Sequence, residues 1–574
     1  MTEATVQQRV SMRSVAIALA LLVSALVFSP FNSGRTAQGP AISQAVSQFL
    51  AAHPGQPVQV IVTARGNAAP LESAVRASGG KVKYDYGTVN SFAATVPSTM
   101  VDRLNHDAAV KGLTVDSPVK WQGAVSSTTL LNRYDTLSRV PSVAWNGKNL
   151  DGTGVQVAVI DTGVWPHNDL VQPSPSVPGN GGNRLISLYT NPLATDPLDH
   201  YGHGTHVAGI IAGNGYDSTG QYIGVAPNSM IVSVKVSNDL GNATEGDVIA
   251  GLDWVYQANR HGMQIRVVNL SVTSTVAQSY HQSALDAMVE KLWFTGVVVV
   301  VSAGNNGSAP IYAPANDPFV VTVGSIDDQY QTTLAGSIMA PWSNYGLTQD
   351  NIRKPEVVAD GSHVVSLLAP ASYLSLNHSG NVVGTSYFKM GGTSMAAPEV
   401  AGMVALMLQA NPNQNNEKVK RELETATVPF GTTAYTPWLG TNGGFLDASA
   451  IGKVADQDAN AGDAVSEDFN PGTGAILAGG AVWTDAQWAN AAWNNTSWAN
   501  TSWANTSWAN TSWAGVGTSA PTLTSSVWNA TSWANTSWAN TNLDNTSWAN
   551  TSWANTSWAN TSWANTSWAD AVFE

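Results

Sequence analysis

Five apolar, β-branched runs mark the middle of the chain, at 155–160, 230–236, 267–272, 297–302 and 319–323, with stretches of helical spacing between them. None shows polar alternation, so both faces of each strand need cover, as in a parallel sheet flanked by helices. This alternation predicts an α/β domain with a doubly wound, mostly parallel sheet over residues 125–455. Upstream the pattern changes. Residues 58–63 predict a strand, 71–77 a helix, 82–86 and 91–96 two strands about Gly87, 99–109 a helix and 113–119 a closing strand. The order βαββαβ predicts an α+β, ferredoxin-like unit over 41–124, a fold that by itself names no function.

The two ends follow neither pattern. Arg9 and Arg13 precede an uncharged apolar run at 15–28. A basic flank before so short a run predicts a signal peptide over 1–35, with an uncleaved anchor as the alternative. Residues 456–480 are acidic, then Gly-rich, and predict a linker. From 481 to 574 the chain repeats every five residues, mostly S-W-A-N-T, and fifteen of the 22 tryptophans stand in this register. Where Trp is missing, Thr518, Leu523 and Leu543 hold its place and the phase survives. Five residues suit neither a helix, where successive tryptophans would be about 140° apart, nor a flat strand, where they would alternate faces. A β-solenoid, disorder and exposed Trp rungs all stay open.

Composition narrows the functional classes. The formal net charge is −14, and no Lys or Arg follows Lys453. Such a tail cannot neutralise phosphates, which argues against nucleic acid as a partner. Cysteine is absent, which excludes disulfides and thiol catalysis.

Four motifs carry the chemistry. Asp161-Thr-Gly directly follows an apolar strand, where catalytic groups of open α/β sheets gather. Asp199-His-Tyr-Gly-His203-Gly-Thr-His206 runs into a helix that starts near His203. Gly391-Gly-Thr-Ser394-Met-Ala-Ala-Pro398 starts another helix, so Ser394 lies where unpaired N–H groups favour developing negative charge. The run at 297–302 ends in Gly304-Asn305-Asn306-Gly307, and Asn305 can present an amide N–H to an oxyanion. Separately, a Ser before a helix is usually a cap and an Asp after a strand usually a turn residue. Together, in the chain order Asp, His, Ser, they match one arrangement of the serine-nucleophile triad.

IDTGV, HGTHVAG, VVVVVSAGNNG and GTSMAAP resemble the signature blocks of the subtilase family, over roughly 125–455. The resemblance implies an endopeptidase with Ser394 as nucleophile, His203 as base and acid, Asp161 as its orienting partner and Asn305 as oxyanion donor. It implies a structural role for His206. It also implies that residues 41–124 are an inhibitory propeptide whose last strand occupies the cleft, with self-cleavage somewhere in 120–135. Polypeptide substrates would add as a strand between Leu270, Ser271 and Val272 on one edge and Gly241, Asn242 and Ala243 on the other. Thr273, where relatives are Gly-rich, leaves the primary pocket open to question, and Glu399 stands where relatives usually have His. The chemistry needs no cofactor. Asp169 resembles a calcium ligand, and 214–222 could add oxygens, so structural calcium is a candidate against a solvated loop. The predicted location is secreted or attached to the cell surface, with cell-wall glycan as a candidate partner of the Trp repeat. The competing reading is a catalytically silent surface-binding protein that displays the repeat.

Overall fold

The structure, a computed structural model, describes residues 41–121, 137–138 and 150–466, with breaks at 175–176, 178–181, 308–309, 332, 432–443, 452–457 and 462. The expected signal segment, most of the linker and the Trp repeat lie outside the described residues.

The first unit is a five-stranded sheet with helices on one face. Its elements are β1 (Ala41–Ile42), α1 (Gln44–Ala52), β2 (Val58–Ala64), α2 (Ala69–Ala77), β3 (Lys81–Tyr86), β4 (Ser91–Val96), α3 (Ser98–Asn105) and β5 (Val110–Val115). The strand order is β1-β5-β2-β4-β3. Val60, Val62, Phe92 and Leu113 face the helices and build a core with Leu71, Val75 and Leu104. The other face, with Ile61, Tyr86, Val89 and Ala93, has no helix of its own unit. It merges instead with the core of the second unit. A sheet apolar on both faces requires such cover.

The second unit is built on a ten-stranded sheet. Its central strands are β7 (Gln156–Asp161), β8 (Leu185–Thr190), β9 (Met230–Lys235), β10 (Ile265–Leu270), β12 (Val298–Ser302) and β13 (Val321–Asp327). Two short strands precede β7 and follow β10, namely β6 (Val119–Trp121) and β11 (Val272–Ser274). Strands β7, β9, β10 and β12 are buried throughout and pair in parallel, which is why their sequences lack alternation. The order runs β13-β12-β10-β7-β9-β8. From β7 the chain moves out on one side through β8 and β9, then returns to β10 on the other. The switch point therefore lies at β7 and β10, and open α/β sheets place their sites at the carboxyl ends of such strands.

Helices α4 (His203–Ala212), α5 (Glu245–Arg260), α6 (Ala284–Trp293) and α7 (Thr393–Ala410) cover the sheet. Thr244 caps α5 in a capping box with Asp247. Helix α7 is buried along almost its whole length and packs on β10, β12, β13 and α4. Among the described residues, no helix is long and apolar enough to cross a membrane.

The second unit extends past 455. The Ser466 N–H donates to both Glu290 oxygens at 2.7 and 3.0 Å, Asn460 N–H to Glu417 at 2.8 Å, and Tyr280 hydroxyl to the Ala464 carbonyl at 2.8 Å. Residues 458–461 and 463–466 are held by these polar anchors and by one buried apolar side chain, Val465, too little for hydrophobic patterning to distinguish them from a linker.

Candidate active site

Strand β7 carries Asp161 to its carboxyl end, and α4 begins at His203. The His203 Nδ1 lies 2.7 Å from Asp161 Oδ1, with both residues buried. The same Oδ1 accepts the Thr162 N–H at 2.8 Å. Two donors on one oxygen fix the carboxylate, and the carboxylate fixes the ring with Nδ1 as the protonated nitrogen.

The turn entering α4 is organised by Asp199, whose role the motif alone does not disclose. Its Oδ1 accepts the Gly202 N–H at 2.7 Å and the Thr162 hydroxyl at 2.8 Å. Its Oδ2 accepts the Thr205 N–H at 2.8 Å and the Thr205 hydroxyl at 2.7 Å. Burial raises the Asp199 pKa, and these four donors oppose the shift. Gly202, at φ +107°, makes the turn, and a Cβ there would come within 2.6 Å of the Ser372 hydroxyl.

Ser394 lies in the first turn of α7, buried, and its hydroxyl donates to the Ser271 carbonyl at 3.1 Å. Ser271 follows β10; its own hydroxyl donates to the Ser394 carbonyl at 3.1 Å and accepts from the Asn269 amide at 3.0 Å. Helices α7 and α4, which begin at the turns of Ser394 and His203, pack against each other. Asn305 follows β12. Its Oδ1 accepts the Thr393 N–H at 3.0 Å and the Thr393 hydroxyl at 2.9 Å. With the oxygen so engaged, the Asn305 amide is oriented beside the start of α7, where Ser394 lies.

The expected substrate edges are occupied. Strand β6, from the end of the first unit, pairs antiparallel with β11 in the register Val119↔Ser274, Lys120↔Thr273 and Trp121↔Val272. From the opposite side, the Ala243 carbonyl accepts the Val119 N–H at 3.0 Å, and the Ser117 carbonyl accepts the Glu245 N–H at 2.9 Å. Gly241, at φ +78°, lets this rim turn tightly against Tyr201, whose ring a Cβ would meet at 2.5 Å. The Asn242 N–H is held by Asn238 Oδ1 at 3.0 Å. Leu270 and Val272 are buried on either side of Ser271. Contacts between the units continue on α5. Tyr84 donates to Asp247 at 2.7 Å, Lys83 pairs with Asp247 at 3.1 Å, Tyr86 donates to the Gly246 carbonyl at 2.8 Å, and Asp116 accepts the Gly246 N–H at 2.9 Å.

Three further residues are resolved by their partners. His206 bonds through Nε2 to the Phe388 carbonyl at 3.0 Å, and burial together with the neighbouring His203 brings its pKa down to about 3. It is neutral and structural. The Glu399 carboxylate accepts the Asp360 N–H at 3.2 Å. Asp169 accepts the Gly215 N–H at 3.1 Å, the Asp217 N–H at 2.9 Å and the Tyr387 hydroxyl at 2.8 Å. His167 and Asp217 lie within metal-ligand reach of it. Calcium takes six to eight oxygens. Here the Asp169 oxygens are already the acceptors of a closed turn and one neighbour is an imidazole, so the residues do not fit a calcium cage.

A serine hydroxyl at a helix start, an oriented amide beside it and a carboxylate-held imidazole are the groups a serine peptidase of the α/β type needs. The sequence model of the subtilase family (peptidase S8) matches residues 152–468. The chain is 35% identical over 356 residues to serine protease AprX of Bacillus subtilis, covering 60% of this chain and 76% of that one. It is 33% identical to subtilisin Savinase of Lederbergia lenta over 52% of this chain and 92% of the relative. The fold is also similar to that of fervidolysin from Fervidobacterium pennivorans, with a TM-score of 0.53 and 24% identity over 70% of this chain and 62% of the other. The chain belongs to the subtilase family and is a subtilisin-type serine endopeptidase acting on polypeptides.

Proposed function

We propose that the chain is a secreted endopeptidase made as a zymogen, that Asp161, His203 and Ser394 are its triad, and that residues 41–124 are its inhibitor and first substrate. The observation that carries this reading is the pairing of β6 with β11. The described strand ends at Trp121, opposite Val272, and the neighbouring Ser271 is the residue whose carbonyl holds the Ser394 hydroxyl at 3.1 Å. On this reading the bond cut is that between Gln122 and Gly123, because a substrate keeping the register of β6 would bring Gln122 to Ser271.

In the reaction, rotation about the Ser394 side chain takes its hydroxyl from the Ser271 carbonyl to His203 Nε2. As Oγ attacks the scissile carbonyl, His203 takes the Oγ proton. Asp161 stabilises the resulting imidazolium through Nδ1–H. The oxyanion is met by the Asn305 amide and the Ser394 backbone N–H at the start of α7. His203 then gives its proton to the leaving amine, and an acyl-enzyme remains. Water deprotonated by His203 attacks the ester, and Ser394 recovers its proton as the carboxylate leaves.

The basic flank and apolar run at the N-terminus support export. The Trp repeat supports attachment to cell-wall glycan, because indole faces stack on apolar sugar faces. Failure of the full chain to sediment with wall polysaccharide would remove the attachment reading.

The central test is Ser394→Ala. In a protease-free host this variant should accumulate uncut, while the wild type yields a new N-terminus at Gly123 by mass spectrometry. A serine-directed phosphonate should label Ser394 in the wild type. Normal cutting of the alanine variant would overturn self-processing.

A further inference from the structure

Glu245 opens α5 and faces the groove that β6 occupies. Its side chain is buried, together with Ser117 and Ser274. The Ser117 hydroxyl donates to Glu245 Oε1 at 2.5 Å, and the Ser274 hydroxyl donates to the same oxygen. The two hydroxyls lie 3.2 Å apart. Gln278 contributes a further hydrogen bond and Asp116 a repulsive charge, and among the described residues no ion pair with the carboxyl is seen. Ser274 and Gln278 belong to the second unit, whereas Ser117 belongs to the segment lying in the groove. Once that segment leaves, Glu245 keeps the floor hydroxyl and loses the one supplied from above.

We infer that Glu245, with Ser274, forms a specificity subsite that selects a hydrogen-bond-donating side chain, a hydroxyl or a cation, on the sixth residue before the cleaved bond, and rejects a carboxylate. This rests on the proposed reading that residues 117–121 lie as substrate does. The sixth position follows from the register, since Ser117 is the sixth residue counting back from Gln122. The chemistry follows from the site. A buried carboxyl without a counter-charge gains most from a donor and loses most from a second carboxylate. Backbone pairing along β11 and at Ala243 is indifferent to side chains, so an anchored side-chain contact is what can discriminate between peptides here.

The test uses the matured full chain and four internally quenched peptides copying residues 117–126, with Ser, Lys, Ala or Glu at the place of Ser117. The Ser and Lys peptides should be cut with kcat/KM about tenfold above the Ala peptide, the scale of one hydrogen bond to a charged group, and the Glu peptide should be poorest. In Glu245→Gln the Lys peptide should fall to the level of Ala while Ser keeps part of its advantage. If the variant does not mature, the wild-type series still decides. Four peptides cut within twofold of one another, at the expected bond, would overturn the subsite. Cleavage at a different bond would overturn the register and the sixth-position assignment with it. Phosphonate labelling of Ser394 and casein hydrolysis, run in parallel, report the endopeptidase reading independently of both.

Discussion

Replacing Asp199 with Asn tests whether one buried carboxylate sets the position of the His203 imidazole. The substitution keeps shape and removes a charge. Each Asp199 oxygen accepts one backbone N–H and one hydroxyl. Asn offers one oxygen and one NH2, so in either orientation its NH2 faces a fixed N–H, that of Gly202 or of Thr205. The hydroxyls have little room to adapt, because Thr162 Oγ1 already accepts the Gly204 N–H at 2.9 Å and Thr205 Oγ1 the Trp165 N–H at 2.9 Å. One buried donor left unpaired costs about 1–3 kcal/mol, and bonds that lose charge assistance weaken by about 1 kcal/mol each. Relief from burying the charge offsets part of this, leaving a net loss of about 2–4 kcal/mol. Urea unfolding in a Ser394→Ala background, which prevents autolysis, would measure it. His203 directly follows Gly202, so the disturbed turn moves the imidazole, and a misplacement of about 1 Å costs roughly 100-fold in rate. A stability change below about 0.5 kcal/mol with unchanged kcat/KM would refute the argument.

Three other predictions concern neighbouring features. Asn305→Leu should lower kcat about 100- to 1,000-fold with little change in KM, a scale set by the corresponding asparagine of a subtilisin; equal losses in Thr393→Val would mean that the hydroxyl holding the amide matters as much as the amide. Burial lifts Glu245 from the ordinary 4.5 to about 7, so the folded chain keeps a proton that the unfolded chain has lost. Its contribution is complete below about pH 4.5 and lost as pH rises through about 7. Urea midpoints of the Ser394→Ala precursor should therefore fall between about pH 5 and 8 more steeply than those of the Ser394→Ala, Glu245→Gln double variant, and parallel profiles would contradict this. Because the Asp169 turn is closed by its own donors, EDTA should leave the thermal midpoint of the precursor unchanged, and a fall of several degrees would show that a cation holds some part of the fold.

The buried strands of the second unit were legible because a parallel sheet covered on both faces leaves uninterrupted apolar runs, as at Val298–Ser302. The first unit was legible through alternation and glycine turns, and its strand Ser91–Val96 lies within the expected bounds. Strand Val357–Asp360 escaped notice, since four residues are too few to show a period. The packing of residues 458–461 and 463–466 escapes notice for a different reason: N–H groups reaching buried carboxylates tie them down, and the single buried Val465 is too little to show a period. The site divides in the same way. Motifs expose residues whose type and local spacing carry the chemistry. They do not expose Asp199 as the hub of its turn, or the pairing of Ser117 with Glu245 across 128 residues of chain.

The seating of β6 against β11 has a consequence for timing. On the proposed zymogen reading, the strand in the groove is tethered before the cut, and a short tether holds a ligand at an effective concentration of the order of millimolar. On that reading, cutting after Gln122 would leave the described pairing of β6 with β11 as it is. It turns an intramolecular encounter into a bimolecular one, so occupancy of the groove then depends on how far the two pieces are diluted. The enzyme would stay silent while crowded and become active as it spreads, with no signal beyond distance.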